Sequence, residues 1–136
     1  MTLAERIRAA GHVYISGNGG SYANAMHIAN DLIACGVKAY TLDPATLTAA
    51  ANDHGYAFIF SRWLMTVGEP GDLLIALSGS GKSPNILNAI EAARIIGMDI
   101  ERVFGAPKLG MQDAEEAQIR LGHDLMRELR GTAQCA

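Results

Sequence analysis

The chain has 136 residues, 49% of them apolar, and a formal net charge of −3. That is enough for one sizeable core and too little for two ordinary domains, so residues 1–136 are expected to form a single domain. There is no block of Lys or Arg to suggest a nucleic-acid groove or a polybasic membrane patch, and no apolar run approaches membrane-spanning length. The first residues, Met1 to Arg8, are charged and helix-like rather than leader-like, and Cys35 and Cys135 lie far apart with no metal-type spacing. These features fit a cytoplasmic chain with neither a nucleic-acid nor a membrane partner.

Residues 3–10 read as a short helix ended by Gly11, followed by a strand over about 12–17. Ser21 is a natural cap for a helix over about 21–35, which Gly36 ends. Lys38 to Leu42 reads as a second strand, and Asp43-Pro44 suits a loop or the first turn of the next helix. A helix, an Asn52-Asp53-His54-Gly55 turn and a helix through Phe58 to Leu64 come next. The turn Glu69-Pro70-Gly71-Asp72 precedes a third strand, and Ser83 or Pro84 starts a helix that Gly97 closes. Ile100 to Phe104 gives a weaker fourth strand, and a last helix over about 112–130 ends at Gly131. Strands alternating with helices imply an α/β fold, a three-layer αβα sandwich on a parallel sheet with ligands at the carboxyl ends of the strands.

Two glycine-serine loops stand out against this frame. Gly17-Asn18-Gly19-Gly20-Ser21 follows Val13-Tyr14-Ile15-Ser16, and Ser78-Gly79-Ser80-Gly81-Lys82-Ser83 follows Leu73 to Leu77. Each apolar run reads as a buried parallel strand, and each loop opens a helix. Glycine lets the backbone approach a ligand, serine hydroxyls donate hydrogen bonds, and the first N–H groups of the helices point at the same anion. A dinucleotide fingerprint would need another glycine where Tyr22 stands, and a phosphate loop of the Walker type would need its first glycine at Ala76. Both nucleotide readings are therefore disfavoured. His27 and Asp31 share one helix face by their i, i+4 spacing, although alone they read as ordinary surface residues.

Together these residues resemble the sugar isomerase (SIS) domain family, most closely its phosphoheptose isomerase branch. The resemblance runs through Gly17 to Ser21, Ala25-Met26-His27-Ile28-Ala29, Asn52 to Tyr56, Phe60-Ser61-Arg62, Gly71-Asp72, Ser78 to Ser83, Ala92-Ala93-Arg94 and Gly97-Met98. It implies an enzyme, an aldose–ketose isomerase that interconverts sedoheptulose 7-phosphate and the aldose heptose 7-phosphate by enediol proton transfer. Within the loops it implies phosphate contacts from Ser78, Ser80 and Ser83 and sugar contacts from Asn18, Ser21 and Asp53, with Gly19 and Gly79 completing the loops.

Isomerisation needs a base near C1 and C2 and a group that polarises the carbonyl oxygen. The family pattern has histidine at His27 and glutamate at Asp31, and a glutamine and a histidine eight residues apart in the final helix, which align with Glu115 and His123. The resemblance therefore implies Asp31 and His123 as catalytic residues and His27, Asp31, Glu115 and His123 as a zinc set. Taken alone, Glu115 and His123 read as solvated helix residues. Eight helical residues rise about 12 Å, so Glu115 and His123 of one straight helix are poorly placed on one ion. A homo-oligomer with shared sites, a tetramer as in the family, is the expectation.

Against the family pattern, most of a long N-terminal helical segment is missing, and the stretches after Asp31 and after Gly97 are short. Cys35 stands where an arginine is usual. A compact SIS-type domain follows, with four strands, or five if the last of the family's strands is kept. The family also contains a non-catalytic branch, which leaves a regulatory module that binds a sugar phosphate or a protein partner as the alternative.

Overall fold

A computed structural model of the protein describes residues 1–105 and 110–131. Thr2 opens the first helix, α1 (Leu3–Ala9), through a capping box in which its hydroxyl accepts the Glu5 N–H while the Glu5 carboxylate accepts the Thr2 N–H. The chain then runs through β1 (Val13–Ser16), α2 (Gly20–Ala34), β2 (Ala39–Thr41), α3 (Pro44–His54), a 3-10 turn (Tyr56–Phe58) and α4 (Ile59–Val67). β3 (Leu73–Ser78), α5 (Pro84–Ile96), β4 (Asp99–Phe104) and α6 (Met111–Arg130) complete the described elements.

The four strands pair in the order β2-β1-β3-β4, every pair parallel. β1 and β3 are buried at every residue, as the unbroken apolar runs require of central strands covered on both faces. Their side chains alternate between two cores. Val13, Ile15, Leu73, Ile75 and Leu77 pack against α1, α2 and α6, whereas Tyr14, Leu74 and Ala76 pack against α4 and α5. This is the expected three-layer sandwich, and the four-strand count among the described residues matches the compact reading.

β4 was the least legible strand because Asp99, Glu101 and Arg102 interrupt its apolar pattern. It lies at the sheet edge, where charged residues guard against pairing with another chain. Arg6 of α1 spans this edge, with Nε 2.8 Å from Asp99 Oδ2 and Nη1 2.8 Å from Glu101 Oε1, and it also donates to the Ile100 carbonyl. Its hydrogen bonds hold the Asp99 carboxyl below the ordinary value of 3.8.

Two local expectations shift. Ser21 does not cap α2: the helix begins one residue earlier, with Gly19 as its cap at φ +57, and Ser21 lies buried in the first turn. Asn52, Asp53 and His54 are not a turn but the end of α3, which Asp43 caps by accepting the Thr46 N–H and Gly55 stops at φ +98. Cys35 is fully buried, while Cys135 and most of the expected 105–110 loop lie outside the described residues.

Candidate active site

β1 leads away to β2 on one side and has β3 on the other, so the sheet reverses its order between β1 and β3. Ligands of open parallel sheets bind outside the carboxyl ends of the strands at such a point. The register pairs Ser16 with Ala76, which brings the two glycine-serine loops side by side. They close on a cavity of about 60 Å³ lined by Asn18, Ser21, Leu77, Ser78, Gly79, Ser80, Ser83 and Met111. Six of the eight expected substrate residues thus meet in one place, and the lining contains no charged side chain. Gly19 supplies the bend rather than the wall.

The first loop is tight because Gly17 has no side chain: a Cβ there would lie 2.6 Å from the Ser21 carbonyl oxygen. In the second loop, the Ser78 hydroxyl accepts the Gly81 N–H at 2.9 Å and the Ser80 hydroxyl accepts the Lys82 N–H at 3.1 Å. A hydroxyl that accepts a backbone N–H keeps its own hydrogen to donate, so both serines remain donors toward a bound anion. Ser83 is the cap residue of α5 yet makes no side-chain capping bond, which leaves its hydroxyl uncommitted to the helix.

The second expected cluster forms between α2 and α6. Gly122 lets the helices approach, since a Cβ there would lie 2.7 Å from Ile28 Cγ1. Immediately beside this contact, His27 Nε2 is 3.2 Å from His123 Nε2 and 3.1 Å from Asp31 Oδ2. The ligand atoms of His27, Asp31 and His123 all lie within 4.8 Å of one another. Although the His27–Asp31 distance is short, its geometry is not that of a hydrogen bond, and the buried Asp31 Oδ2 has no hydrogen-bond partner.

These three side chains fit a metal ion. Two imidazoles and a carboxylate suit zinc, whose bonds of about 2.0–2.2 Å place tetrahedral ligands about 3.3 Å apart. The unpartnered Asp31 oxygen is the kind of buried acceptor that an ion satisfies.

Glu115 is not brought to this group. Two turns before His123 on α6, its carboxylate lies against Gly20, where an added Cβ would stand 2.1 Å from Oε2. The helical rise that argued against a shared ion within one chain accounts for the separation. Asp53 also stays apart: it is exposed at the end of α3, accepts from Asn52 at 3.0 Å, and lines a different groove with Arg62 and Trp63.

Three polar residues of the site were not anticipated. Gln118 is 1% exposed, donates to the Ser21 hydroxyl at 3.0 Å and accepts from Asn24 at 2.9 Å, tying α6 to the first loop. Asn85 pairs with Asn18, and Tyr56 donates to Asn18. A signal for Gln118 was present: it interrupts the small and apolar stripe Ala114, Gly122, Leu125 and Leu129 on the buried face of α6.

A parallel αβα domain with a neutral, serine-rich cavity at its switch point has the donor groups that an anion would need. The chain belongs to the SIS domain family, whose match covers residues 1–103. It is 40% identical over 128 residues to the phosphoheptose isomerase of Edwardsiella ictaluri, covering 89% of this chain and 66% of that protein. It is 46% identical over 123 residues to that of Rhodospirillum rubrum, covering 85% and 65% respectively. The chain thus spans about two thirds of the length of these curated relatives. Among solved structures, the phosphoheptose isomerase of Neisseria gonorrhoeae superposes with a TM-score of 0.88 at 26% identity, covering 96% of this chain and 82% of that one.

Proposed function

We propose that the chain is a cytoplasmic phosphosugar isomerase interconverting sedoheptulose 7-phosphate and the aldose heptose 7-phosphate. The observation that carries this reading is that α2 serves both parts of the site. Its first turn closes the serine cavity, and its later turns carry His27 and Asp31 beside His123. The similarity to phosphoheptose isomerases supports the same reading.

Ser78, Ser80 and Ser83 donate to the phosphate, Ser21 contacts the adjoining sugar atoms, and Asn18, which lines the same cavity, donates to the phosphomonoester where phosphate and sugar join. From Ser21 to His27 the helix rises about 9 Å, so a sugar held by its phosphate in the first turn extends toward the histidines. Asp31 removes the proton from the carbon next to the carbonyl, and His123 exchanges a proton with the oxygens of the enediol. The neighbouring carbon then receives a proton while the hydroxyl hydrogen passes from one oxygen to the other, so the isomers differ in the places of one carbon-bound hydrogen, one oxygen-bound hydrogen and the C=O double bond.

His27, Asp31 and His123 would hold zinc, which supplies polarisation of the substrate oxygens when bound. A carboxylate held tightly by an ion cannot also be a free base, so Asp31 serves both roles only if its ligation changes during turnover. With Glu115 turned toward Gly20, the fourth position falls to water, substrate or a partner subunit. The last option supports the homo-tetramer with shared sites, and light scattering that finds only monomer at micromolar concentration would remove it.

Incubation with sedoheptulose 7-phosphate, with and without chelator, tests the proposal. Aldose product is expected, and its absence under both conditions would overturn the isomerase reading.

A further inference from the structure

The side chain of Asn18 has more of its hydrogen-bonding capacity fixed than any other wall of the serine cavity. Its Oδ1 accepts from Asn85 Nδ2 at 2.8 Å and from the Tyr56 hydroxyl at 2.9 Å, which fills both lone pairs. Its Nδ2 donates to Asn85 Oδ1 at 2.7 Å, which uses one of two hydrogens. Asn18 lines the cavity, and the second Nδ2 hydrogen is the one polar valence of its amide with no bond among the described residues.

The orientation of that amide decides what the cavity offers. A head-to-tail pair of amides satisfies itself equally well if both are flipped, so Asn85 alone does not choose. Were Asn18 flipped, its nitrogen would donate to both Asn85 and Tyr56, and its oxygen would leave a spare lone pair for the cavity. That arrangement would repel an anion. The phenol of Tyr56 breaks the tie, because a phenolic O–H is a much better donor than its oxygen is an acceptor. Tyr56 follows Gly55, whose φ of +98 turns the chain out of α3 and into the 3-10 turn that brings the phenol to Asn18.

We infer that Tyr56 and Asn85 are positioning residues that lock the Asn18 amide with an N–H aimed at the acceptor oxygens of a phosphomonoester. Neither side chain needs to touch the ligand. This inference rests on the reading of the cavity as a phosphate site, and it adds the device that makes one of its donors anion-selective.

Tyr56→Phe is the cleanest test, because Tyr56 is 51% exposed and its ring can stay in place when the hydroxyl is removed. Asn85 is 2% exposed, so Asn85→Asp is the second variant: nearly isosteric, it offers only acceptors to Asn18. Inorganic phosphate is the probe, titrated by calorimetry. One side-chain N–H proton of Asn18 is followed by NMR.

Phosphate is expected to bind Tyr56→Phe about twofold more weakly than wild type, because without the phenol the two amide orientations are equally satisfied and only one presents the donor. The thermal midpoint should hold, and the phosphate-induced shift of one Asn18 N–H signal should shrink. Asn85→Asp should lose phosphate affinity further. A purely structural role would move the midpoint and leave the phosphate affinity and the NMR signal alone. Wild-type affinity in Tyr56→Phe would overturn the inference while leaving the phosphate site standing. No phosphate binding by the wild type would overturn the site and the inference together.

Discussion

The two ends of α2 solve different problems. At its first turn, the serine cavity is small and neutral, and its walls are held by bonds between neighbours: Gln118 to Ser21, Asn85 and Tyr56 to Asn18, and Ser78 and Ser80 to their own loop. At its later turns, His27 and His123 are exposed, and Asp31 keeps a buried oxygen with no hydrogen-bond partner. The first region is braced by bonds within one chain. The second waits for something, whether an ion, a substrate oxygen or a neighbouring subunit. A binding site can be finished by packing alone, whereas groups that must bind an ion or move a proton cannot be saturated by the protein.

This contrast predicts that the two regions can be damaged separately. The largest effect is expected from His27→Asn, because His27 Nε2 neighbours both other candidate ligands. Zinc affinity should fall by at least about 100-fold, more than outer-shell changes usually cost, while phosphate affinity measured by calorimetry stays put. If phosphate binding fell in parallel, the regions would not be independent.

Gly122→Val should come next. The branched side chain must displace Ile28, and overpacking of this kind costs about 1–3 kcal/mol in urea unfolding. Because it pushes α2 from α6 beside His27 and His123, it should weaken zinc binding more than phosphate binding.

Ser83→Ala should weaken phosphate binding by about fivefold to tenfold. It should leave the urea midpoint unchanged, since the hydroxyl makes no capping bond to α5. A marked loss of stability would mean that Ser83 serves the helix rather than the ligand.

The smallest effect lies far from both regions. Asp99, held below its ordinary value by Arg6, adds stability above about pH 3.8 that fades as pH falls through its depressed value. With the Asp99 side chain 51% exposed, the pair is worth at most about 1 kcal/mol. Arg6→Gln should therefore lower the unfolding free energy slightly at pH 7 and by less near pH 2, with neither site affected. A larger loss at low pH would contradict the assignment.

Much of this was legible in the chain itself, for reasons that differ by residue. The buried strands, the two loops and Pro44 in the first turn of α3 follow from local pattern, and all appear where local pattern put them. The family resemblance brought His27, Asp31 and His123 together, which their spacing alone could not do, because His27 and His123 are 96 positions apart. Asp53 shows the limit: the resemblance implied a sugar contact, but the end of α3 carries it to a different groove of this chain, whereas the separation of Glu115 from His123 was expected from two turns of helical rise. Ser21 looked like a cap because caps favour serine, yet its hydroxyl answers to Gln118, 97 residues away. Asn85 left no sequence signal, and Tyr56 only its place in the Asn52 to Tyr56 stretch of the resemblance, since each acquires its role only when a distant loop presents Asn18.

On the proposed function, both ends of α2 act on one sugar phosphate. Solvent deuterium exchange into sedoheptulose 7-phosphate, followed by NMR for wild type and Asp31→Asn, tests it directly. Wild type should exchange a proton at C1, and Asp31→Asn should bind inorganic phosphate as wild type does while exchanging about 10²–10⁴-fold more slowly. Exchange at the wild-type rate in Asp31→Asn, or none in wild type, would contradict the account.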